Sequence, residues 1–215
     1  MSTATLTLTP TSRSVRRAGA WCLGGGLLGA AQGLAVVAWS PQVPDDRFNY
    51  PFDGPWYTFF QTSFFVQHLP LLVGVAALLR LSTVRASRAA RISIGAAVVG
   101  LGLLAVIELV AISAYGEPID SSYATLVESL YGPPVTLIGA GLLVAGLAMR
   151  RRGAPTAGAP WLPWAVIAVG GYVFLPLTPT LVVGTPTAIH LAITGWMLAF
   201  AVLGHGLTRL ENRDV

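Results

Sequence analysis

The chain has 215 residues, of which 54% are hydrophobic and 10% charged, and its net charge is +4. Soluble domains carry about 25% charged residues, so this chain cannot cover a water-facing surface; lipid removes that need by solvating apolar side chains directly. All 13 cationic residues are arginine, which excludes Schiff-base chemistry and a phosphate-loop lysine. The single cysteine, Cys22, excludes an intrachain disulfide, dithiol redox chemistry and multi-cysteine zinc sites. Arginine in place of lysine, with abundant Ala and Gly, fits a high-GC bacterial genome.

Residues 1–17 are expected to be a disordered cytoplasmic tail, Ser/Thr-rich through Ser12. Six segments then read as spans, against the roughly 20 apolar residues that cross a bilayer: Ala18–Trp39, Trp56–Arg80, Ile92–Tyr115, Pro134–Met149, Trp161–Val183 and Pro186–Leu207, the fourth being the shortest. They define an all-α, polytopic six-helix transmembrane domain over residues 18–208, followed by a short cytoplasmic tail at 209–215. The first span follows a basic start, as a signal peptide would, but its apolar run is long for one and no clear cleavage site follows.

The connections alternate in charge. Arg13, Arg16, Arg17, Arg80, Arg85, Arg88, Arg91, Arg150, Arg151, Arg152, Arg209 and Arg213 fall on one side, and only Arg47 falls on the other, with Asp45, Asp46, Asp53, Glu117, Asp120 and Glu128. The positive-inside rule places the arginine side, with both termini, in the cytoplasm of a bacterial cell and the chain in the inner membrane. The arginines sit beside apolar spans, so topology explains the basic balance and no nucleic-acid partner is implied.

Span one carries Gly25, Gly29 and Gly33 at the four-residue spacing that lets helices approach closely. Their partner is another span of the same chain or, alternatively, a second copy. The first connection is long, aromatic and proline-stiffened, which reads as an interfacial aromatic belt or as an ordered cap over the bundle. Gly54-Pro55, Gly132-Pro133 and Gly184-Thr185-Pro186 read as turns opening spans two, four and six. Gly153–Pro160 reads as a linker. In span five, Pro176 and Pro179 require a distorted outer half; broken helices persist in membranes where they are buried in protein or line a cavity.

The buried polar residues gather toward the outer side. Counting the helical rise from the span ends places Gln32 and Glu108 roughly 10 Å deep, Gln61 roughly 8 Å, His68 roughly 18 Å, His190 roughly 6 Å and Tyr172 roughly 16 Å. Glu108 is the most informative, because an intramembrane carboxyl is costly and marks a cavity, a partner or a function. Its plain alternative is a neutral carboxyl bonded to Gln32 or to a backbone carbonyl, holding helices together. His68 is a candidate proton carrier, haem or metal ligand, or packed donor; the depth offset of His190 argues against a haem shared by the two histidines and against a metal site of His68, Glu108 and His190.

The loop Ser40–Phe52, reading Ser-Pro-Gln-Val-Pro-Asp-Asp-Arg-Phe-Asn-Tyr-Pro-Phe, resembles a loop of small, uncharacterised six-span membrane proteins of actinobacteria. The resemblance covers spans one and two and implies the fold but no catalytic residue or cofactor.

The signatures of zinc proteases, serine hydrolases, nucleotide-binding loops and prenyl-diphosphate aspartate pairs are absent. Three functions remain. The first is a binding or transport bundle whose outward cavity, lined by Gln32, Gln61, His68, Glu108, Tyr172 and His190, accepts a small molecule, lipid or ion, with Glu108 as a proton-sensitive anchor. The second is an accessory subunit without a cavity, bound to a membrane partner. The third is an intramembrane metal- or haem-dependent enzyme.

Overall fold

The computed structural model describes residues 10–152 and 158–211. The start of the N-terminal tail, most of the Gly153–Pro160 linker and residues 212–215 lie outside the described residues. The helices in chain order are α1 (Pro10–Val37), α2 (Gly54–Ala77), the short α3 (Ser82–Arg85), α4 (Arg88–Ala111), α5 (Ser122–Arg151), α6 (Leu162–Tyr172), α7 (Thr178–Val183) and α8 (Pro186–Thr208). A π-helical turn, Val173–Leu177, joins α6 to α7, so the two form one span and six helical segments are long and apolar enough to cross a membrane. The protein is a multi-pass membrane bundle.

Local chemistry sets the helix starts. The side chains of Asp53, Ser87, Ser121 and Thr185 accept from the backbone N–H groups of Trp56, Ala90, Ala124 and Ala188, each satisfying a donor with no intrahelical partner. Proline occupies the first turns of α2, α6 and α8, where its missing N–H costs nothing. The turn readings at Gly54-Pro55 and Thr185-Pro186 therefore hold.

At Gly132-Pro133 the structure corrects the sequence. Helix α5 does not start there but at Ser122, capped by Ser121, and runs through Pro133 and Pro134 for 30 residues. The fourth span, read as the shortest, is the longest. A second correction concerns the N-terminal tail, which is helical from Pro10, so Arg13, Arg16 and Arg17 ride on the first turns of α1.

The spans pack in a ring in chain order: α1 on α2, α2 on α4, α4 on α5, α5 on α6, α6 on α8, and α8 back on α1. The closing seam, α1 against α8, is the most extensive contact of all. Glycine makes it. A Cβ on Gly26 would lie 2.5 Å from the backbone nitrogen of Ala201 and 2.7 Å from the carbonyl of Met197, and one on Gly19 would meet Leu207 and Gly204. The predicted stripe splits between two neighbours: Gly25 faces Pro70 on α2, Gly29 faces both Gln67 and Met197, and Gly33 faces Thr194 on α8. These five glycines of α1 thus serve packing within the chain.

Apolar side chains such as Leu28, Val99, Leu103, Val106, Leu198 and Val202 point outward and are exposed. In water they would form a patch far beyond the few hundred Å² typical of monomers; in lipid they are solvated. One end of the ring carries the described arginines other than Arg47, with Arg150 stacked over the Trp164 ring at 3.8 Å and Trp161 stacked on His205. Helix-end stacking of this kind fits an interfacial role for His205.

The other end is closed by an ordered cap. Phe48 N–H donates to Glu117 O, Ile119 N–H to Asp46 O, and the Arg47 guanidinium to Gly116 O, so the first connection docks on the one following α4. Asn49, 1% exposed, ties both together: its amide donates to Phe52 O, and its oxygen accepts from the N–H of Gly116. Gly116 has φ +79°, a conformation other residues adopt only under strain. Beneath the cap, Phe52 stacks on Phe60 at 4.2 Å between ring centroids, and Trp39 packs edge-on to both. The aromatic connection is a cap rather than a belt of independent anchors.

Candidate functional site

A ring of six helices leaves an axial space wherever facing side chains are too short or too polar to fill it. At the capped end this space is a cavity of about 350 Å³, within the size range of small-molecule sites. All six spans contribute to its wall: Gly33 from α1, Phe64 from α2, Leu104 from α4, Val135 from α5, Leu181 from α7 and Ile193 from α8. The wall is largely apolar and aromatic, with polar groups at a few points.

Four of the six residues anticipated from sequence line this cavity: Gln61 and His68 from α2, Glu108 from α4, and His190 from α8. Glu108 is 8% exposed and His68 4%, so both sit inside the bundle and neither faces lipid. The neighbour of Glu108 is neither Gln32 nor a backbone carbonyl. It is Tyr131 of α5, whose hydroxyl donates to Glu108 Oε2 at 3.0 Å. His68 Nδ1 lies 2.6 Å from Phe64 O, one helical turn back. A carbonyl only accepts, so Nδ1 carries the proton and Nε2 of the neutral ring is an acceptor.

Gln32 and Tyr172 are not in the wall. The Gln32 amide donates to Ser63 Oγ, tying α1 to α2, which is the helix-joining role the sequence had offered for Glu108. Tyr172 is half-buried on α6 and places its hydroxyl where a Cβ on Gly195 of α8 would go; it packs two helices beside the cavity. Sequence depth alone misplaced both, because depth does not fix which way a helix face turns.

The broken fifth span does contribute. Pro176 has no N–H, and the chain widens into the π turn to accommodate it. The hydroxyls of Thr178 and Thr180 donate to the carbonyls of Val173 and Pro176, at 2.7 and 2.6 Å, adding hydrogen bonds to the irregular backbone inside the membrane. The turn swings Leu177 and Leu181 into the cavity wall.

Sequence reading missed Tyr131, Glu128, Gln67 and Trp196, all wall residues. Tyr131 and Glu128 were lost with the misplaced start of α5. Gln67 could have been found, since it is a polar residue beside His68 in an apolar span. The Trp196 indole donates to Val169 O at 3.1 Å, a contact no local pattern announces.

His68 and His190, offset in depth, both line this cavity. Among the described residues, however, no three His, Cys, Asp or Glu side chains are grouped to hold a metal ion. No family model matches this chain, and neither the curated proteins nor the solved structures include a match.

Proposed function

We propose that this protein is a binding or transport-type bundle of the bacterial inner membrane, with its arginine end in the cytoplasm and its capped end outside. Its site is the axial cavity, which takes a small molecule with an apolar body and a polar group set against Glu108. One observation carries the reading: Gln61, His68, Glu108 and His190, from three different helices, converge on one cavity with an otherwise apolar wall. A bundle that used these residues only to hold helices together would have no reason to leave space between them. The arginine asymmetry supports the orientation. The Leu177 and Leu181 wall supports a role for the broken span in admitting or releasing the ligand, as discontinuous helices do in transporters.

The test is binding of 1-aminoanthracene, a small apolar fluorophore, to the protein in nanodiscs. Saturable binding of one dye per chain is expected, lost in Ile193→Trp, which fills the cavity, and kept in Leu198→Trp, which adds the same ring to the lipid face. Equal binding to both variants and to protein-free nanodiscs would remove the cavity from consideration as a site.

A further inference from the structure

The hydrogen-bonding capacity of the cavity wall is one-sided. Its deep hydroxyl and indole donors are spent within the protein. The Tyr57 hydroxyl donates to Ala111 O at 3.0 Å, Tyr131 to Glu108, the Trp196 indole to Val169 O, and the Gln67 amide faces Met197 Sδ at 2.9 Å. Its acceptors are not spent. Gln61 Oε1 is buried with no hydrogen-bond partner. His68 Nε2 has a free lone pair, because Nδ1 holds the proton against Phe64 O. A carboxylate accepts about four hydrogen bonds, and Glu108 takes one from Tyr131.

Tyr57 commits its proton to Ala111 O and also meets the Gln61 side chain. Tyr57 therefore has no proton left for Gln61, and the buried Gln61 Oε1 keeps no donor from that side.

Charge is one-sided as well. Glu108 lies deep and Glu128 at the rim, while no arginine is in the wall. A buried charge is tolerated only when paired: the deep carboxyl of Glu108 takes its charged form against a cation, and the wall holds no arginine to pair an incoming anion. The aromatic faces of Phe60, Phe64 and Tyr57 complete the surroundings, and such faces attract cations.

We propose that the ligand is a hydrophobic organic ammonium, its N–H donors directed at Glu108, Gln61 Oε1 and His68 Nε2 and its apolar body held by the aromatic and aliphatic wall. This rests on the cavity reading above and deepens it. An alcohol satisfies part of the acceptor set but brings no charge for Glu108. A carboxylate meets acceptors and like charge.

Three probes of one chain length test it: decylammonium, decanol and decanoate, each displacing 1-aminoanthracene from protein in zwitterionic nanodiscs at neutral pH, with free concentrations corrected for partition into protein-free discs. Hydrogen bonds to charged groups exceed neutral ones enough that decylammonium should displace the dye at a concentration roughly tenfold below decanol, with decanoate weakest. Glu108→Gln should bring decylammonium close to decanol and leave decanol unchanged. Equal potency of all three, or decanoate ahead of decylammonium, would overturn the ammonium while leaving the cavity standing. A dye that does not bind at all would take down the cavity reading and the ammonium with it. If Glu108→Gln does not fold, the order of the three probes on the native protein decides alone.

Discussion

The hydroxyl of Tyr131 donates to Glu108 Oε2 at 3.0 Å, joining α5 to α4 across the wall of the cavity. Glu108 is buried and Tyr131 half-buried, and the bond is the direct contact between the carboxyl and another side chain. It therefore has two effects that can be separated: it holds two spans together, and it fixes the direction in which the remaining lone pairs of Glu108 point.

Tyr131→Phe should lower stability by about 1–3 kcal/mol, the cost of leaving one partner of a buried hydrogen bond unsatisfied. Glu108→Leu removes the other partner. The double variant should be less destabilised than the sum of the two, because each single change already breaks the same bond. Thermal unfolding of the four proteins in one detergent gives the coupling; strict additivity would show that the bond does not form.

The seam between α1 and α8 makes a prediction of opposite signs within one helix. A Cβ on Gly26 would run into the backbone of Ala201, which cannot rotate away. Gly26→Leu should cost at least about 3 kcal/mol, at the upper end of overpacking effects, and should lower the yield of folded protein. Nothing lies within 4 Å of a Cβ at Gly24, so Gly24→Ala should be neutral or stabilising by up to about 1 kcal/mol. Melting temperatures of both variants check the contrast.

Asn49 controls two connections at once. Asn49→Ala removes the donor to Phe52 O and the acceptor for the Gly116 N–H. Hydrogen exchange should rise together in residues 42–53 and 115–121, with the transmembrane helices unchanged. Faster exchange in the first connection alone would mean that the cap does not depend on this side chain.

Orientation can be read with a membrane-impermeant maleimide. Cys22 is fully buried, with its thiol against Phe200 O, so the native protein should give almost no labelling in intact cells. Asp45→Cys, in the cap, should label at once, and Arg151→Cys only after permeabilisation. The reverse pattern would invert the topology.

Much of the architecture was legible because hydropathy and charge report it independently. Six apolar runs and twelve arginines on one side fix the number of spans without any knowledge of packing. Glu108 and His68 were legible for a related reason: a polar residue in the middle of an apolar run has to face something other than lipid. What stayed hidden depends on rotation and continuity. Gln32 has the same depth and polarity as Glu108, yet its face of α1 turns to Ser63 instead of to the axis. Pro133 and Pro134 look like a helix start, yet the turns before them are apolar enough and well enough capped by Ser121 for α5 to begin eleven residues earlier. That one boundary concealed Tyr131, and with it the partner of the most informative carboxyl in the chain.

Closure of the ring by its first and last spans has a consequence for biosynthesis. Helix α1 enters the bilayer with its Gly19, Gly26 and Gly33 face shaped for a helix that does not yet exist, because α8 is synthesised after the other five described spans. Until then four intervening spans must insert while that seam stays open, and the axial space is missing Ile193, Trp196 and His190. A chain interrupted before α8 would therefore be an open arc in the membrane, with a glycine-lined edge exposed to whatever helix arrives first.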